Sequence, residues 1–331
     1  MLPTDSHYHK LARVARLYYE ENKTQAEIAE QLGVSRSQIS RWLQEARDLG
    51  IVEIRIQPVW SRVAELQRRL EQRFPRLKEA LVMERGGQGY MQLVQNLGIL
   101  AASRLTELLE GKKILGIAWS TGVYQVVNAL RSAKQRGVTV VQLMGTVGSV
   151  NPLLDGPDLA RWLAQILSGH YRYLPAPLLA KDPQAREAIV QTPVVRETIA
   201  LAEQADIALV GIGAVWPPNL SSFYNARILS EEELRAIQAQ GGVGDVCGYF
   251  FDLQGCVLDL ELHRRLIGIS WEGLRRLPSV MGVAGGRRKA KAILGALRGG
   301  VINYLVTDSE AAERILWLDE QHGGKCDDDD L

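Results

Sequence analysis

The chain has 331 residues, a formal net charge of +1 at pH 7 and 46% hydrophobic residues. This length predicts two globular domains. The near-zero net charge excludes nucleic-acid binding through a positive charge spread over the whole protein, so any affinity for DNA would need a local basic patch. The sequence contains no run of about 18 apolar residues and no signal-peptide core at its N-terminus, so we expect no membrane association.

A helix-turn-helix is predicted at Thr24–Arg47, after a first helix over residues 7–21. A capping box of Thr24 and Glu27 starts one helix, Gly33 ends it, and Ser35 caps the next. The second helix has an apolar stripe and a polar face whose side chains can donate to base edges and phosphates. The residues expected to contact DNA are Thr24, Ser35, Arg36, Ser37, Gln38, Ser40 and Arg41.

Among these residues, Arg36, Gln38 and Arg41 are favoured as readers of base edges. An ordinary helical hairpin with a solvated polar face is the alternative interpretation of the motif. The agreement of caps, glycine, apolar stripe and polar face favours the DNA-binding interpretation.

A wing and a linker are predicted next. Residues 51–56 alternate apolar and charged side chains, which is typical of a half-exposed strand, and complete a winged domain over 1–56. An amphipathic helix is predicted over 59–74, within a linker or oligomerisation segment at 57–80. The apolar stripe of this helix could pack on its own domain or on another subunit. We favour the second, because helix-turn-helix dimers read two half-sites; a homo-dimer or tetramer is therefore expected.

Residues 81–331 alternate short apolar runs with helical patterns, and this predicts a doubly wound parallel sheet. The predicted strands are Lys113–Ala118, Val138–Leu143, Asp206–Gly211, Leu266–Ile269, Ser279–Ala284 and Ile302–Thr307. The predicted helices are 91–110, 121–135, 156–169, 194–204, 231–240, 287–298 and 309–317.

Ligands of such sheets bind at the carboxyl ends of the strands, where several loops suit an anion. Ser120, Thr121 and Gly122 join a strand to a helix N-terminus, although plain capping would explain them too. Gly285 and Gly286 precede Lys289, and a lysine at the start of a helix opposes the helix dipole unless an anion is bound nearby.

Other polar residues near strand ends extend the expected site. Gln142 begins a glycine-containing loop, and Asp245 and Asp252 lie in an otherwise apolar stretch. A carboxylate there could accept hydrogen bonds from sugar hydroxyls, whereas Asp252 could equally cap the turn that follows it. Residues 211–214 could be another ligand loop or simply a tightly packed turn.

The three cysteines and five histidines give no sign of a metal centre. The cysteines are odd in number and lack metal-ligand spacing, which indicates free thiols in a cytoplasmic protein. The histidines do not cluster in the sequence. We therefore expect neither a metal nor a cofactor.

The sequence resembles the SorC family of bacterial transcriptional regulators over nearly its whole length. The motifs that carry the resemblance are the helix-turn-helix, the loop around Trp119–Gly122, the strand GDVCGYFFDLQG and the run PSVMGVAGGRRKAKAILGALRGGVINYLVTD. One departure is Ala118 and Ser120, where family members often have glycine.

The resemblance implies an effector domain related to sugar-phosphate isomerases and deaminases, a phosphorylated sugar as ligand, and assembly as tetramers built of dimers. Ser120, Thr121, Gly122 and the Gly285–Lys289 segment would then bind phosphate. Asp245, Asp252 and Gln142 would line the sugar end.

The expected function is therefore a DNA-binding transcriptional regulator, not an enzyme, with operator DNA and a phosphorylated sugar as partners. A ligand that loosens DNA binding would make it an inducible repressor, and one that tightens binding a co-repressed repressor or an activator. The alternatives are a sugar-phosphate isomerase or deaminase with a DNA-binding appendage and a constitutive architectural DNA binder.

Overall fold

The computed structural model describes residues 5–52, 61–130, 137–148, 156–216, 223 and 228–323. The chain divides into two compact units, Met1–Val59 and Trp60–Leu331. Each unit has its own hydrophobic core, as two domains require.

The N-terminal unit contains the predicted helix-turn-helix. Its helices are α1 (Asp5–Tyr19), α2 (Gln25–Leu32) and α3 (Arg36–Asp48), and Ile28, Ile39 and Leu43 belong to their shared core. The capping box predicted at Thr24 forms: the Thr24 Oγ1 accepts from the Glu27 N–H at 3.3 Å, and the Glu27 carboxylate accepts from the Thr24 N–H at 2.7 Å. Of the predicted wing, residues 53–56 lie outside the described residues.

The C-terminal unit is an α/β domain. Its helices are α4 (Ala64–Arg73), α5 (Tyr90–Leu108), α6 (Thr121–Ala129), α7 (Gly156–Ile166), α8 (Pro183–Val190), α9 (Pro193–Ala202), α10 (Glu231–Ala239), α11 (Glu261–Arg265), α12 (Trp271–Arg276), α13 (Ala290–Arg298) and α14 (Ser309–Gln321). Its strands are β1 (Glu79–Met83), β2 (Ile114–Ile117), β3 (Thr139–Gln142), β4 (His170–Arg172), β5 (Ile207–Gly211), β6 (Gly213–Ala214), β7 (Gly244–Val246), β8 (Tyr249–Phe251), β9 (Val280–Val283) and β10 (Tyr304–Asp308).

Seven of these strands form one parallel sheet in the order β1-β10-β9-β5-β2-β3-β4. The inner strands are apolar throughout because helices cover both faces of the sheet. The order places β9, β5 and β2 side by side, so the loops that follow these three strands meet at one edge of the sheet. This edge is where a doubly wound fold binds its ligands.

The structure also contains an antiparallel sheet, β6-β7-β8, in which the stretch expected as one strand, GDVCGYFFDLQG, forms the two strands β7 and β8. Cys247, at φ 52°, and Gly248, at φ 87°, form the tight turn between β7 and β8. The sheet brings Asp245 beside Gly213, its partner in the β6–β7 register. The predicted strand Leu266–Ile269 was wrong: Leu266 and Gly268 make isolated bridges to Leu179 and Met144.

The helix that was predicted to be a linker belongs to the C-terminal unit. Leu66, Leu70 and Phe74 are buried in the core of that unit, and the Val63 N–H donates to the Val82 carbonyl of β1 at 3.0 Å. The expected separate linker or oligomerisation segment over 57–80, with a domain start at residue 81, is corrected accordingly, and of the two packing alternatives the stripe follows the one on its own domain. The stripe is buried within the same chain because β1 and α14 offer it an apolar surface.

A fragment of residues 60–331 is therefore expected to fold, whereas a fragment of residues 81–331 is expected to lose cooperative unfolding. Removing α4 uncovers the core beneath three large side chains, each of which contributes roughly 1.5–3 kcal/mol on burial. Circular dichroism melting of both fragments checks this. A cooperative transition at the same temperature in both would contradict the assignment of α4 to the core.

Two further features bear on the expectations from composition. No helix among the described residues is long and apolar enough to cross a membrane. Cys247 is a buried free thiol, as the sequence predicts for this residue.

Candidate effector cavity and nucleic-acid interface

A cavity of about 320 Å³ lies at the carboxyl ends of β2, β5 and β9. The loops after these strands contribute most of its polar groups, and the start of α5 and the β7–β8 turn complete the wall. The residues that line it are Tyr90, Met91, Val94, Leu97, Ala118, Trp119, Ser120, Thr121, Gly122, Met144, Gly211, Ile212, Gly213, Phe223, Asp245, Cys247, Val283, Ala284, Gly285 and Lys289.

The first wall of the cavity is the N-terminus of α6. Ser120 is the N-cap residue, and its Oγ accepts from the Val123 N–H at 3.0 Å. Among the described residues, the remaining first-turn amides and the Thr121 hydroxyl have no hydrogen-bond partner, and the helix dipole gives this end a partial positive charge. A Cβ at Gly122 would lie 3.0 Å from the Val283 carbonyl, so this loop and the end of β9 are in close contact.

The second wall is the glycine loop after β9. Gly286 has φ +88°, and its N–H donates to the Asp308 carboxylate, which also accepts from the Ala311 N–H at 3.3 Å. A Cβ at Gly285 would lie 2.4 Å from an Asp308 oxygen, so only glycine fits there without rearrangement. Asp308 therefore holds the loop in place, although Gly286 itself does not line the cavity.

Lys289 and Asp245 are the cation and the carboxylate of the cavity among its described residues. The Lys289 Nζ donates to the Ile212 carbonyl at 2.6 Å. Burial lowers the pKa of Lys289 to about 8, and the neighbouring Asp245 opposes this shift. Burial raises the pKa of Asp245 to about 6, which Lys289 and a hydrogen bond from Gly248 oppose. Each of the two groups thus stabilises the charged form of the other, because burial removes the hydration that would otherwise stabilise both charges.

This pair should give stability a pH dependence with opposite signs on the two sides of neutrality. The pKa of Asp245 is higher in the folded state, so the pair's contribution falls as pH rises from 3.8 to about 6. The pKa of Lys289 is lower in the folded state, so the contribution rises from about pH 8 to 10.5.

Urea unfolding of the wild type and of the double variant Asp245→Asn/Lys289→Met, between about pH 5 and about pH 10, isolates this contribution. We expect the difference in unfolding free energy to pass through a minimum near neutral pH. A difference that is constant across this range would contradict the assigned pKa shifts.

The predicted DNA-reading face is exposed on α3. Arg36, Ser37, Ser40 and Arg41 are exposed, and neither arginine has an ion pair among the described residues. By contrast, Arg47 donates to the Tyr19 hydroxyl at 3.0 Å and to the Gln44 side chain at 2.6 Å.

The remaining predicted DNA contacts are partly used within the protein. Thr24 and Ser35 are N-cap residues, with the Ser35 Oγ accepting from the Gln38 N–H at 3.2 Å. The Gln38 side chain is half-buried. Free cations beside hydroxyls at the start of a second helix suit contacts to phosphates and base edges.

Comparison with known proteins identifies both units. The model of the family described as "Putative sugar-binding domain" matches residues 60–317, and a homeodomain-like domain matches residues 10–52. The full-length sorbitol operon regulator SorC from Klebsiella pneumoniae superimposes with a TM-score of 0.70 at 30% identity, covering 94% of this chain and 100% of that one. The chain belongs to the SorC family of transcriptional regulators.

Curated relatives of this SorC-family chain are regulators as well. The transcriptional regulator LsrR of Enterobacter sp. (strain 638) is 34% identical over 310 residues, which are 93% of each protein. The deoxyribonucleoside regulator of Bacillus subtilis (strain 168) is 31% identical over 302 residues, covering 91% of this chain and 95% of the relative. Like them, this chain is a DNA-binding transcriptional regulator, and it carries a sugar-binding domain.

Not all residues that the sequence proposed for the SorC-family effector site reach the cavity. Ser120, Thr121, Gly122, Asp245, Gly285 and Lys289 line it, whereas Gln142 and Asp252 do not. These two residues are corrections to the predicted lining, and so is Gly286, which belongs to the glycine loop but does not line the cavity.

The side chains of Gln142 and Asp252 serve the backbone instead. The buried Gln142 amide donates to the Met144 carbonyl at 2.7 Å and accepts from the Leu174 N–H at 3.1 Å. The Asp252 Oδ1 accepts from the Gln254 and Cys256 amides, both at 2.9 Å. Asp252 therefore caps the turn that follows it, which was the alternative interpretation of this residue.

Sequence reasoning missed several lining residues. Tyr90 and Met91 come from the start of α5, a helix that the sequence predicted but did not connect with the loops. The rings of Trp119 and Phe223 are in contact, tilted by 33° with centroids 5.6 Å apart, and both line the cavity. Ile212 contributes through its carbonyl oxygen, which no side-chain pattern can reveal.

Proposed function

We propose that a phosphorylated sugar binds in the cavity of this SorC-family regulator and sets its affinity for operator DNA. The observation that carries the proposal is the joining of two complementary features in one cavity: a free helix N-terminus at α6 and the buried pair of Lys289 and Asp245.

The phosphate is proposed to bind at Ser120, Thr121 and Gly122. Amides of the first turn of α6 point along the helix axis, and the helix dipole favours an anion there. The dianion would also raise the pKa of Lys289 and so keep its ammonium group charged. The Lys289 ammonium group has three N–H donors, and Ile212 accepts one of them, which leaves two for the ligand.

The sugar end is proposed to meet Asp245. An ionised carboxylate accepts two or more hydrogen bonds, and a buried carboxylate gains stability from each one. Gly213 makes this possible, because a Cβ there would lie 1.8 Å from the Asp245 Oδ1. Trp119 and Phe223 supply an apolar surface for the carbon skeleton.

The arrangement supports a regulator rather than an active isomerase or deaminase. His263, which is not among the lining residues, accepts from the Phe250 N–H at 3.0 Å through its Nε2, and burial lowers its pKa to about 4. It therefore stays neutral and engaged, and no histidine is among the described residues that line the cavity. Absence of steady turnover of the ligand by the purified protein is the expected result.

We also propose a homo-oligomer, a dimer or a tetramer, that acts in the cytoplasm. A two-fold dimer places two α3 helices about one DNA turn apart, so both half-sites of an operator are bound together. Sedimentation of the full chain at micromolar concentration should show no monomer.

A thermal-shift screen of the full chain against pentose and hexose phosphates, each paired with its free sugar, tests the ligand. A ligand at about 100 times its Kd adds roughly 2.7 kcal/mol to the stability. A shift with a phosphorylated sugar and none with its free counterpart is expected. An equal shift with the free sugar would contradict a phosphate at α6.

A further inference from the structure

We propose that Asp319 couples the effector cavity to α4, the helix that follows the DNA-binding unit in the chain, by pairing with Arg298 of α13 and Arg73 of α4. The inference rests on the proposed function, since it concerns how occupancy of that cavity would change DNA affinity.

The helix α13 begins at the cavity. Lys289 occupies its N-cap position, and its first turn packs against the strand that carries Asp245. A Cβ on Gly244, the residue before Asp245, would lie 2.5 Å from the Ala292 Cβ, so strand and helix touch without a gap. A ligand that shifts the backbone at Lys289 or Asp245 therefore also displaces α13, because the packed interface leaves no space to absorb the shift.

The last residue of α13 enters a buried ionic cluster. The Arg298 Nε lies 2.9 Å and the Arg298 Nη2 2.7 Å from the Asp319 Oδ1, and the two side chains are 2% and 4% exposed. Arg298 also donates to the carbonyls of His322, at 2.6 Å, and Leu253, at 3.2 Å. Its guanidinium group is thus fixed between α14 and the turn that follows β8.

The other oxygen of the same carboxylate holds α4. The Arg73 Nε donates to the Asp319 Oδ2, although Arg73 itself is half exposed. Ahead of α4, the Glu84 N–H donates to the Ser61 carbonyl at 2.9 Å, and Arg62 bridges to Met83. The helix is thereby tied to the sheet at its start and to Asp319 at its end.

One buried carboxylate that serves two helices makes their positions interdependent. A shift of α13 that carries Arg298 along must either move Asp319 or leave a buried charge without its partner, which is costly. Moving Asp319 in turn displaces Arg73 and the end of α4. Energetic coupling between sites requires contiguous contacts of this kind.

The test compares Arg73→Met with Arg69→Met, a matched control on the same helix. The Arg69 guanidinium group is 3.7 Å from the Glu320 carboxylate, and both side chains of this ion pair are exposed, so the loss of Arg69 should change little. Arg73→Lys is the conservative variant that keeps a cation near Asp319. In each variant, calorimetry gives the Kd of the sugar phosphate found in the screen, and fluorescence anisotropy gives the Kd for a duplex selected from a random library.

In Arg73→Met, we expect the Kd of the ligand, and the Kd for DNA without ligand, to stay within about twofold of the wild type. The factor by which the ligand changes the Kd for DNA should fall at least fivefold. Such factors usually lie in the range of about 5–150-fold. Arg73→Lys should recover most of that factor, and Arg69→Met should keep all of it. A factor in Arg73→Met equal to that of Arg69→Met overturns the inference and leaves the proposed function intact. A wild type whose DNA affinity does not respond to a bound sugar phosphate overturns both.

Discussion

Lys289→Met is expected to weaken binding of the sugar phosphate by at least about 30-fold, which corresponds to about 2 kcal/mol, because truncating one member of a buried charge pair costs 2–5 kcal/mol. The variant removes the cation of the cavity and the donor to the ligand. It also leaves Asp245 buried without its counter-charge, so that carboxylate takes up a proton. DNA binding in the absence of ligand should stay at the wild-type level, since Lys289 lies in the other unit of the chain.

Lys291→Ala is the matched control, because Lys291 lies two residues further along and is exposed. It should bind the sugar phosphate as the wild type does. If Lys289→Met lowers the melting temperature too far for calorimetry, the double variant Asp245→Asn/Lys289→Met keeps the site neutral and should still fail to bind. Wild-type ligand affinity in Lys289→Met or in the double variant would remove Lys289 from the effector site.

Arg41→Ala is expected to weaken binding to the selected duplex by about 1–3 kcal/mol while the melting temperature stays unchanged. Arg41 is exposed on α3 and has no ion pair among the described residues, so its removal costs the folded state little. The slope of log Kd against log salt then shows the kind of contact. A lost phosphate contact reduces the slope by about one, whereas a lost base contact relaxes the sequence preference.

Gln44→Ala is the control for Arg41, because Gln44 is exposed on the same helix but donates to Asp48 at 2.8 Å within the protein. Its DNA affinity should stay within about twofold of the wild type, as expected for a surface side chain that does not reach DNA. Equal losses in both variants, or no loss in Arg41→Ala, would contradict the assigned DNA-reading face.

Features that depend on local physics were predictable from the sequence. The caps at Thr24 and Ser35 and the turn at Gly33 define the helix-turn-helix by backbone hydrogen bonding alone. The buried parallel strands have continuous apolar runs, so five of the six predicted strands correspond to β2, β3, β5, β9 and β10. Ser120 and Lys289 could be predicted because residues at a helix N-terminus are selected by capping and by the helix dipole, and both effects depend only on neighbouring residues.

What the sequence could not show depends on contacts between distant segments. Asp245 and Asp252 are chemically alike and seven residues apart, yet one faces the cavity and the other caps a turn. The three-residue strands β7 and β8 are too short for a periodic pattern to detect. The stripe of α4 indicates that something covers it, but periodicity does not say whether the same chain or a second subunit provides the surface.

The measurement that tests the central claim most directly is an anisotropy titration of the full-length wild type on the selected duplex, with and without the sugar phosphate that stabilises it and the matched free sugar. The account predicts a change in the Kd for DNA of at least about fivefold with the phosphorylated sugar and none with the free sugar. A Kd that stays the same while calorimetry shows the cavity to be saturated would contradict the account.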